Sequence, residues 1–274
     1  MSSFLVRRSD VWIPAAIAVV ALLGAVGIQI YAPGGAEIRD RPSGADGPEL
    51  TEADAREQER QLATNLELLK RSPGFGFDNL LADWTFLNFL QYFGDEPARE
   101  LTGYQLNDDH FDVISKFDPK WVDMYLFLST SVAYYQGEPE LSVKLMNRGT
   151  DALSPDYPDA WRLWRLKAID QLLLVGDTEA AIASLEMAAK WAAGTPSEAL
   201  AARFREVAAT LRENPDNKMI RINAWLTVYS QTTDPVVRKR AIAELEALGV
   251  QIEQGEDGQL RFFVPPEETE EINR

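Results

Sequence analysis

The longest apolar run in the chain comes early. Residues 11–31, VWIPAAIAVVALLGAVGIQIY, carry no formal charge and a single amide, Gln29. At about 1.5 Å rise per residue, a helix of that length crosses the roughly 30 Å hydrocarbon core of a bilayer. Trp12 and Tyr31 mark its two ends, where amphipathic rings prefer the headgroup level. Pro14 falls in the first turn, which tolerates proline. The pattern predicts an N-terminal transmembrane anchor over residues 1–31. A cleaved signal peptide, leaving a soluble secreted or periplasmic binding protein, is the competing reading. Arg7 and Arg8 would be its basic start, and Gly34-Gly35-Ala36 its small residues. Basic residues before the span, set against Arg39 and Arg41 after it, orient the N-terminus toward the cytoplasm. The main domain is then periplasmic or thylakoid-lumenal.

Beyond the span the pattern turns polar. Residues 32–48, APGGAEIRDRPSGADGP, hold enough Gly and Pro to predict a flexible linker. Thr51 then reads as a helix N-cap, with Glu52 and Asp54 in the positive first turn. Leu62, Leu66 and Leu69 give that helix a narrow apolar stripe, and RSPGFGF (71–77) ends it. Gly74-x-Gly76 lacks the further glycines, lysine and flanking strand of a phosphate loop and predicts a turn. Residues 78–94, DNLLADWTFLNFLQYFG, are apolar on nearly every face. The stretch is too short to span a membrane and Asp83 interrupts it, so it predicts a buried first helix of the following array.

From there to residue 249 the prolines keep time. Pro97, Pro119, Pro139, Pro158, Pro196, Pro215 and Pro235 recur at steps of 19 to 22 with one double step of 38, which Gly176-Asp177 divides. Proline suits the first helical position, so a helix restarts about every twenty residues and a pair of helices every 39 or so. Such a rhythm predicts antiparallel helix pairs stacked as an α-solenoid over residues 49–249. Residues 159–175 carry Trp161, Trp164, Ala168, Leu172 and Val175 at helical spacing. The next helix offers Ala181, Ile182, Leu185, Ala188 and Ala189, small enough for close approach.

These two helices resemble a tetratricopeptide repeat: an aromatic and a large apolar residue on the first, Gly-Asp at the turn, Ala-Ile on the second and Ala one turn later. Residues 117–149 resemble a looser copy, through Tyr125, Leu128, Gly137, Ser142-Val143 and Gly149. The period of about 39 departs from that family's 34 and is shared with HEAT-type repeats. The block LLADWTFLNFLQYFG is similar to one in bacterial, including cyanobacterial, membrane-anchored tetratricopeptide-like proteins. The resemblance implies an all-α scaffold for protein partners, supporting assembly or stability of a membrane protein complex.

After Gly249, VQIE and QLRFFV read as a β-hairpin cap over residues 250–266, closed by Pro265-Pro266 and followed by an acidic tail, 267–274. A hairpin there predicts closure of the open end of the array.

Charge and candidate chemistry narrow the function classes. The chain's 43 Asp+Glu against 27 Lys+Arg leave a net charge of −16, which repels phosphate backbones and argues against nucleic-acid binding. With no cysteine and one histidine, thiol chemistry, iron–sulfur clusters and His-cluster metal sites have no ligands. Asp108, Asp109, His110 and Asp112 adjoin in sequence, but one short run rarely converges on a metal; they predict the opening of a helix that ends at Phe117. Glu256-Asp257-Gly258 lacks the alternating acids of a calcium loop and predicts a turn. A metal-dependent hydrolase is therefore the weaker alternative. No catalytic residue, cofactor or small-molecule substrate is expected. Trp84, Trp121, Trp161, Trp164, Trp191 and Trp225 predict inter-helix packing. Arg162, Arg165 and Lys167 form a basic cluster on a first-type helix, the type that lines the groove in tetratricopeptide arrays as the resemblance implies. They are the candidate partner-binding residues, with salt bridges to acidic neighbours as the alternative.

Overall fold

The computed structural model describes residues 50–215, 218–232, 234–254 and 260–264. The chain divides into two units, residues 1–49 and 50–274. The apolar span 11–31, the linker 32–48, the turn 255–259 and the acidic tail lie outside the described residues. Among the described residues, no helix is long and apolar enough to cross a membrane. The second unit is mostly helical, with one small two-stranded antiparallel sheet.

Thr51 caps α1 (Glu52–Arg71), its hydroxyl accepting from Asp54 N at 3.2 Å. The RSPGFGF segment ends the helix, and α2 (Asp78–Gly94), α3 (Glu96–Thr102) and α4 (Asn107–Phe117) follow. Leu66 on α1, Phe89 on α2, and Phe111 and Ile114 on α4 meet in the first of three cores. Two helix pairs come next. In the first, α5 (Met124–Leu128) widens into a π-helical stretch, Ser129–Tyr135, before α6 (Pro139–Ala152). In the second, α7 (Trp161–Asp170) widens into Gln171–Val175 before α8 (Thr178–Ala192).

The prolines mark these starts in two ways. Pro139 is the first residue of α6, Pro235 the first of α11 (Pro235–Ala247), and Pro97 the second of α3. Pro119, Pro158 and Pro196 instead sit second in four-residue turns, closed by Trp121 N to Asp118 O at 3.4 Å, Ala160 N to Tyr157 O at 3.2 Å and Glu198 N to Thr195 O at 3.0 Å. The fixed φ of proline suits that turn position as well as it suits a helix start. The helices α5, α7 and α9 (Glu198–Glu213) therefore begin two to five residues later than proline position alone suggests.

The two pairs repeat one another in the backbone bonds of their turns. Glu138 N donates to Val132 O at 2.9 Å, and thirty-nine residues on Asp177 N donates to Gln171 O at 2.9 Å. Ser142 N to Glu138 O and Ala181 N to Asp177 O, both 3.0 Å, stand at the same offset. Gly137 (φ +71°) and Gly176 (φ +80°) make the left-handed step between helices in each copy, a conformation that costs a side-chain-bearing residue on the order of 1 kcal/mol. The sequence period is thus a structural one. The π-helical widening was not legible in it.

Small residues set the spacing where the pairs stack. Ala188, Ala189 and Ala192 on α8 are buried with Ala201, Phe204 and Ala208 on α9 in a second core that Ala168 of α7 completes. Gly149 on α6 plays the same part. A Cβ there would collide with Tyr125 Oη and lie 2.5 Å from Leu163 Cδ2. Tyr125 cannot swing away easily, because it is buried and its hydroxyl donates to Pro119 O at 2.9 Å. Gly149→Ala is therefore expected to destabilise the protein by about 1–3 kcal/mol through overpacking, despite the roughly 1 kcal/mol that alanine gains in a helix. Gly94 meets nothing within 4 Å, so Gly94→Ala should be neutral or stabilising by about 0.5 kcal/mol. Urea midpoints of the two variants check the pair.

The rhythm continues to residue 249, but the stacking does not. α9 packs on α8, whereas α10 (Lys218–Gln231) returns over both π-helical stretches and α11 packs against α10. Trp225, Val228, Val237 and Ala241 join Ala133 and Leu174 in the third core. A Cβ on Gly137 would come 2.8 Å from Val237 Cγ1. Arg240 binds Glu138 at 3.1 Å and Glu140 at 2.7 Å, and Gln105 donates to Asp234 at 2.5 Å. In an open solenoid each repeat touches only its neighbours; these contacts join residues 100 and more positions apart. The strands β1 (Gln251–Gln254) and β2 (Leu260–Phe263) pair antiparallel, Ile252 opposite Phe262. Both residues pack on the third core, with the Phe262 ring 4.9 Å from that of Tyr229. The hairpin thus covers α10.

Candidate partner interface

α2 has no proline within it and opens on Asp78 in its first turn. Its leucines, aromatics and alanine favour a helix with no polar face to choose an orientation. Packing makes the choice. Ala82, Thr85, Phe89 and Tyr92, at i, i+3, i+7 and i+10, are buried against α4 and its neighbours. Phe77, Leu80, Trp84 and Leu87 repeat the same spacing on the opposite side, with 63%, 63%, 60% and 55% of their surface exposed. The helix expected to be buried is therefore half-buried, because the domain supplies a packing partner for only one of its two apolar faces. Trp84, expected between helices, lies on the open face. Trp225 and Trp191 are buried as expected, and Trp121, Trp161 and Trp164 are partly so.

The open face continues at both sides. Phe86 bridges to α5, its ring 5.1 Å from Phe127 and 4.9 Å from Trp121, and Phe127 is itself exposed. Before the helix, Phe75 (φ +50°) and Gly76 (φ +85°) form a tight turn closed by Phe77 N to Gly74 O at 2.8 Å. A bulky residue rarely adopts that backbone, and here it presents a phenyl ring that is 79% exposed. Charge along this stretch of chain has one sign: residues 72–98 include Asp78, Asp83, Asp95 and Glu96 and no Lys or Arg.

The basic cluster on α7 is divided. Arg162 donates to Asp123 at 2.7 Å. Lys167 is half-buried, its ammonium 4.9 Å from the centre of the Trp164 ring; burial pulls its pKa down while Asp151 acts the other way. Arg165 is exposed. The salt-bridge alternative thus describes Arg162.

The acidic run around His110 also diverges. Asp108 binds the Gln136 amide at 2.7 Å. Asp109 and Asp112 take Lys70, and Asp112 also binds Arg148 at 2.5 Å. Burial works against the charge on Lys70, but hydrogen bonds to Asp109 and Glu67 outweigh it and hold the pKa above the usual lysine range. His110 points into the first core, its Nδ1–H donating to Leu106 O at 2.7 Å beside the Tyr92 and Phe89 rings. Burial pushes its pKa down to about 4, so it is a neutral core residue at pH 7. Among the described residues, no three His, Cys, Asp or Glu side chains gather where they could hold a metal ion. A groove of about 500 Å³ is lined by Arg56, Glu59, Arg60, Gln105 and Asp234 among others. Its cations are taken by Glu52 and Glu57, and Asp234 by Gln105 and the N-terminus of α11.

One group escaped the sequence reading. Asp170 at the end of α7 is fully buried, accepting from Ser129 Oγ at 2.7 Å and Ser142 Oγ at 2.8 Å. Burial raises its pKa to about 6, against the pull of the two hydroxyls. Its position, seven residues after the buried Leu163 and four before the buried Leu174, was the available signal. It ties the first helices of both pairs to α6 and takes no part in lining the groove.

Comparison of the chain with protein-family models, with curated proteins and with solved structures finds no match.

Proposed function

We propose that the protein is a membrane-anchored, tetratricopeptide-like scaffold that holds protein partners and supports the assembly or stability of a membrane protein complex. The observation that carries the reading is the apolar face of α2, Phe77, Leu80, Trp84 and Leu87, on a helix whose other face is fully packed. Leaving a surface of that kind in water is unfavourable, by roughly 25 cal/mol for each Å², and an extended apolar surface on a folded domain marks an interaction site. Two further features support it: helix pairs that repeat after thirty-nine residues, as in repeat scaffolds, and groove-lining cations, Arg56 and Arg60, that are already engaged by Glu52 and Glu57. The anchor rests on the uncharged run 11–31, with the N-terminus cytoplasmic and the main domain periplasmic or lumenal.

Crosslinking of intact membranes followed by mass spectrometry tests the scaffold. A recurrent protein partner whose crosslinks map to residues 70–130 is the expected result, and absence of any recurrent partner under several solubilisation conditions would overturn it. Protease protection in sealed vesicles tests the orientation, with residues 49–274 expected to be shielded from protease added to the cytoplasmic side.

A further inference from the structure

The geometry points to a specific kind of partner for the open face of α2: an α-helix that carries its own apolar stripe bordered by lysines or arginines. This deepens the scaffold reading and rests on it. Leu80, Trp84 and Leu87, with Phe77 ahead of them at the N-cap, present apolar groups at the i, i+3, i+7, i+10 spacing of one helix face, and a row of that spacing is complemented by the matching row of a second helix. Phe127 of α5 widens the face on one side, and Phe75 on its left-handed turn stands at the N-terminal end.

Charge selects among the occupants. Between Arg71 and Arg99 the chain carries four carboxylates and no cation, and both Asp78 and Asp83 are exposed beside the stripe. Helices that lie on membrane surfaces use a basic polar border against anionic headgroups; this border is acidic, so an anionic leaflet repels it. A second copy is disfavoured because it carries the same acidic border, Asp78 and Asp83. Pairing two such stripes sets carboxylates of like charge along both borders of the contact, a juxtaposition that costs affinity. A helix with basic borders meets the apolar row with apolar groups and the carboxylates with cations.

The test uses the full chain with Trp84→p-benzoylphenylalanine, a photo-crosslinker on an exposed position, reconstituted in zwitterionic nanodiscs. Two synthetic helical peptides share one leucine stripe and differ only in borders of lysine or of glutamate. The lysine-bordered peptide is expected to give at least tenfold more adduct, with the preference shrinking as salt is raised. Leu80→Gln with Leu87→Gln, both on exposed positions, should reduce that adduct at least tenfold while leaving the circular dichroism spectrum unchanged. Equal adducts with the two peptides, adducts dominated by a second copy of the chain, or adducts dominated by lipid would each overturn the inference. Peptide discrimination without a recurrent partner in membranes would sink the scaffold reading alone, so the two failures are distinguishable.

Discussion

Asp170→Asn is expected to change sharply how stability depends on pH. The carboxyl is buried and held by two serine hydroxyls with no cation beside it, and its pKa is raised to about 6 from 3.8. Between those values the folded state keeps a proton that the unfolded chain has lost. The stability it contributes is therefore complete below pH 4 and lost as pH rises through 6, by about 3 kcal/mol at 1.36 kcal/mol per unit. His110 acts in the opposite sense. Its folded pKa of about 4 lies below 6.5, so its contribution is complete above pH 6.5 and is lost as pH falls toward 4, again by about 3 kcal/mol. In the natural chain the two slopes largely cancel between pH 4 and 6. Asparagine removes one of them, and the stability of the variant should climb steeply with pH over that interval. His110→Phe should show the mirror image, falling as pH rises. Urea unfolding of the three proteins at several pH values from 4 to 7.5 checks this by difference, which removes the shared contribution of the surface carboxylates. Parallel profiles for the natural chain and Asp170→Asn would mean that the carboxyl does not titrate as its burial requires.

The fold was legible in sequence to the extent that one residue dictates one local conformation. Thr51, Asp177 and Asp234 cap helices where the pattern places them, each side chain accepting from a backbone N–H of the first turn. Gly176 and Gly249 take the positive φ expected of turn residues. The β-hairpin strands fall within a residue or so of VQIE and QLRFFV. What was not legible depends on which surface another element occupies. Residues 78–94 have apolar groups at both sets of helical positions, so periodicity gives no orientation; only the placement of α4 decides that Phe89 is covered and Trp84 is not. The return of α10 and α11 is hidden for a similar reason. Their apolar positions fit stacking on α9 as well as packing on the π-helical stretches, and the ion pairs that fix the second arrangement link Arg240 to acids 100 residues earlier. The candidate site followed the same division: Arg162, Arg165 and Lys167 stood out by sign alone, while the α2 face stands out only once its other side is seen to be full.

Two tryptophans that look alike in sequence make the strongest test of that division. Trp225 is completely buried among Ala133, Leu174, Val228, Val237 and Ala241, with the Arg240 guanidinium 5.7 Å from its ring centre. Replacing it with alanine leaves a cavity where three segments meet, and Trp225→Ala is expected to cost about 3–5 kcal/mol. Trp84→Ala, on a side chain with 60% of its surface exposed, should cost no more than about 0.5 kcal/mol. The larger loss should also be local. If α10 and α11 are a clasp over the two pairs, the amides of residues 129–135 and 171–175 lose hydrogen-exchange protection in Trp225→Ala, while α2 and α4 keep theirs, since their core shares no residue with the third one. Uniform loss of protection along the chain would instead make the return helices part of a single cooperative unit. A clasp that opens locally leaves the α2 face intact, so the same variant should still discriminate the lysine-bordered from the glutamate-bordered peptide; stability and partner contact then reside on different helices.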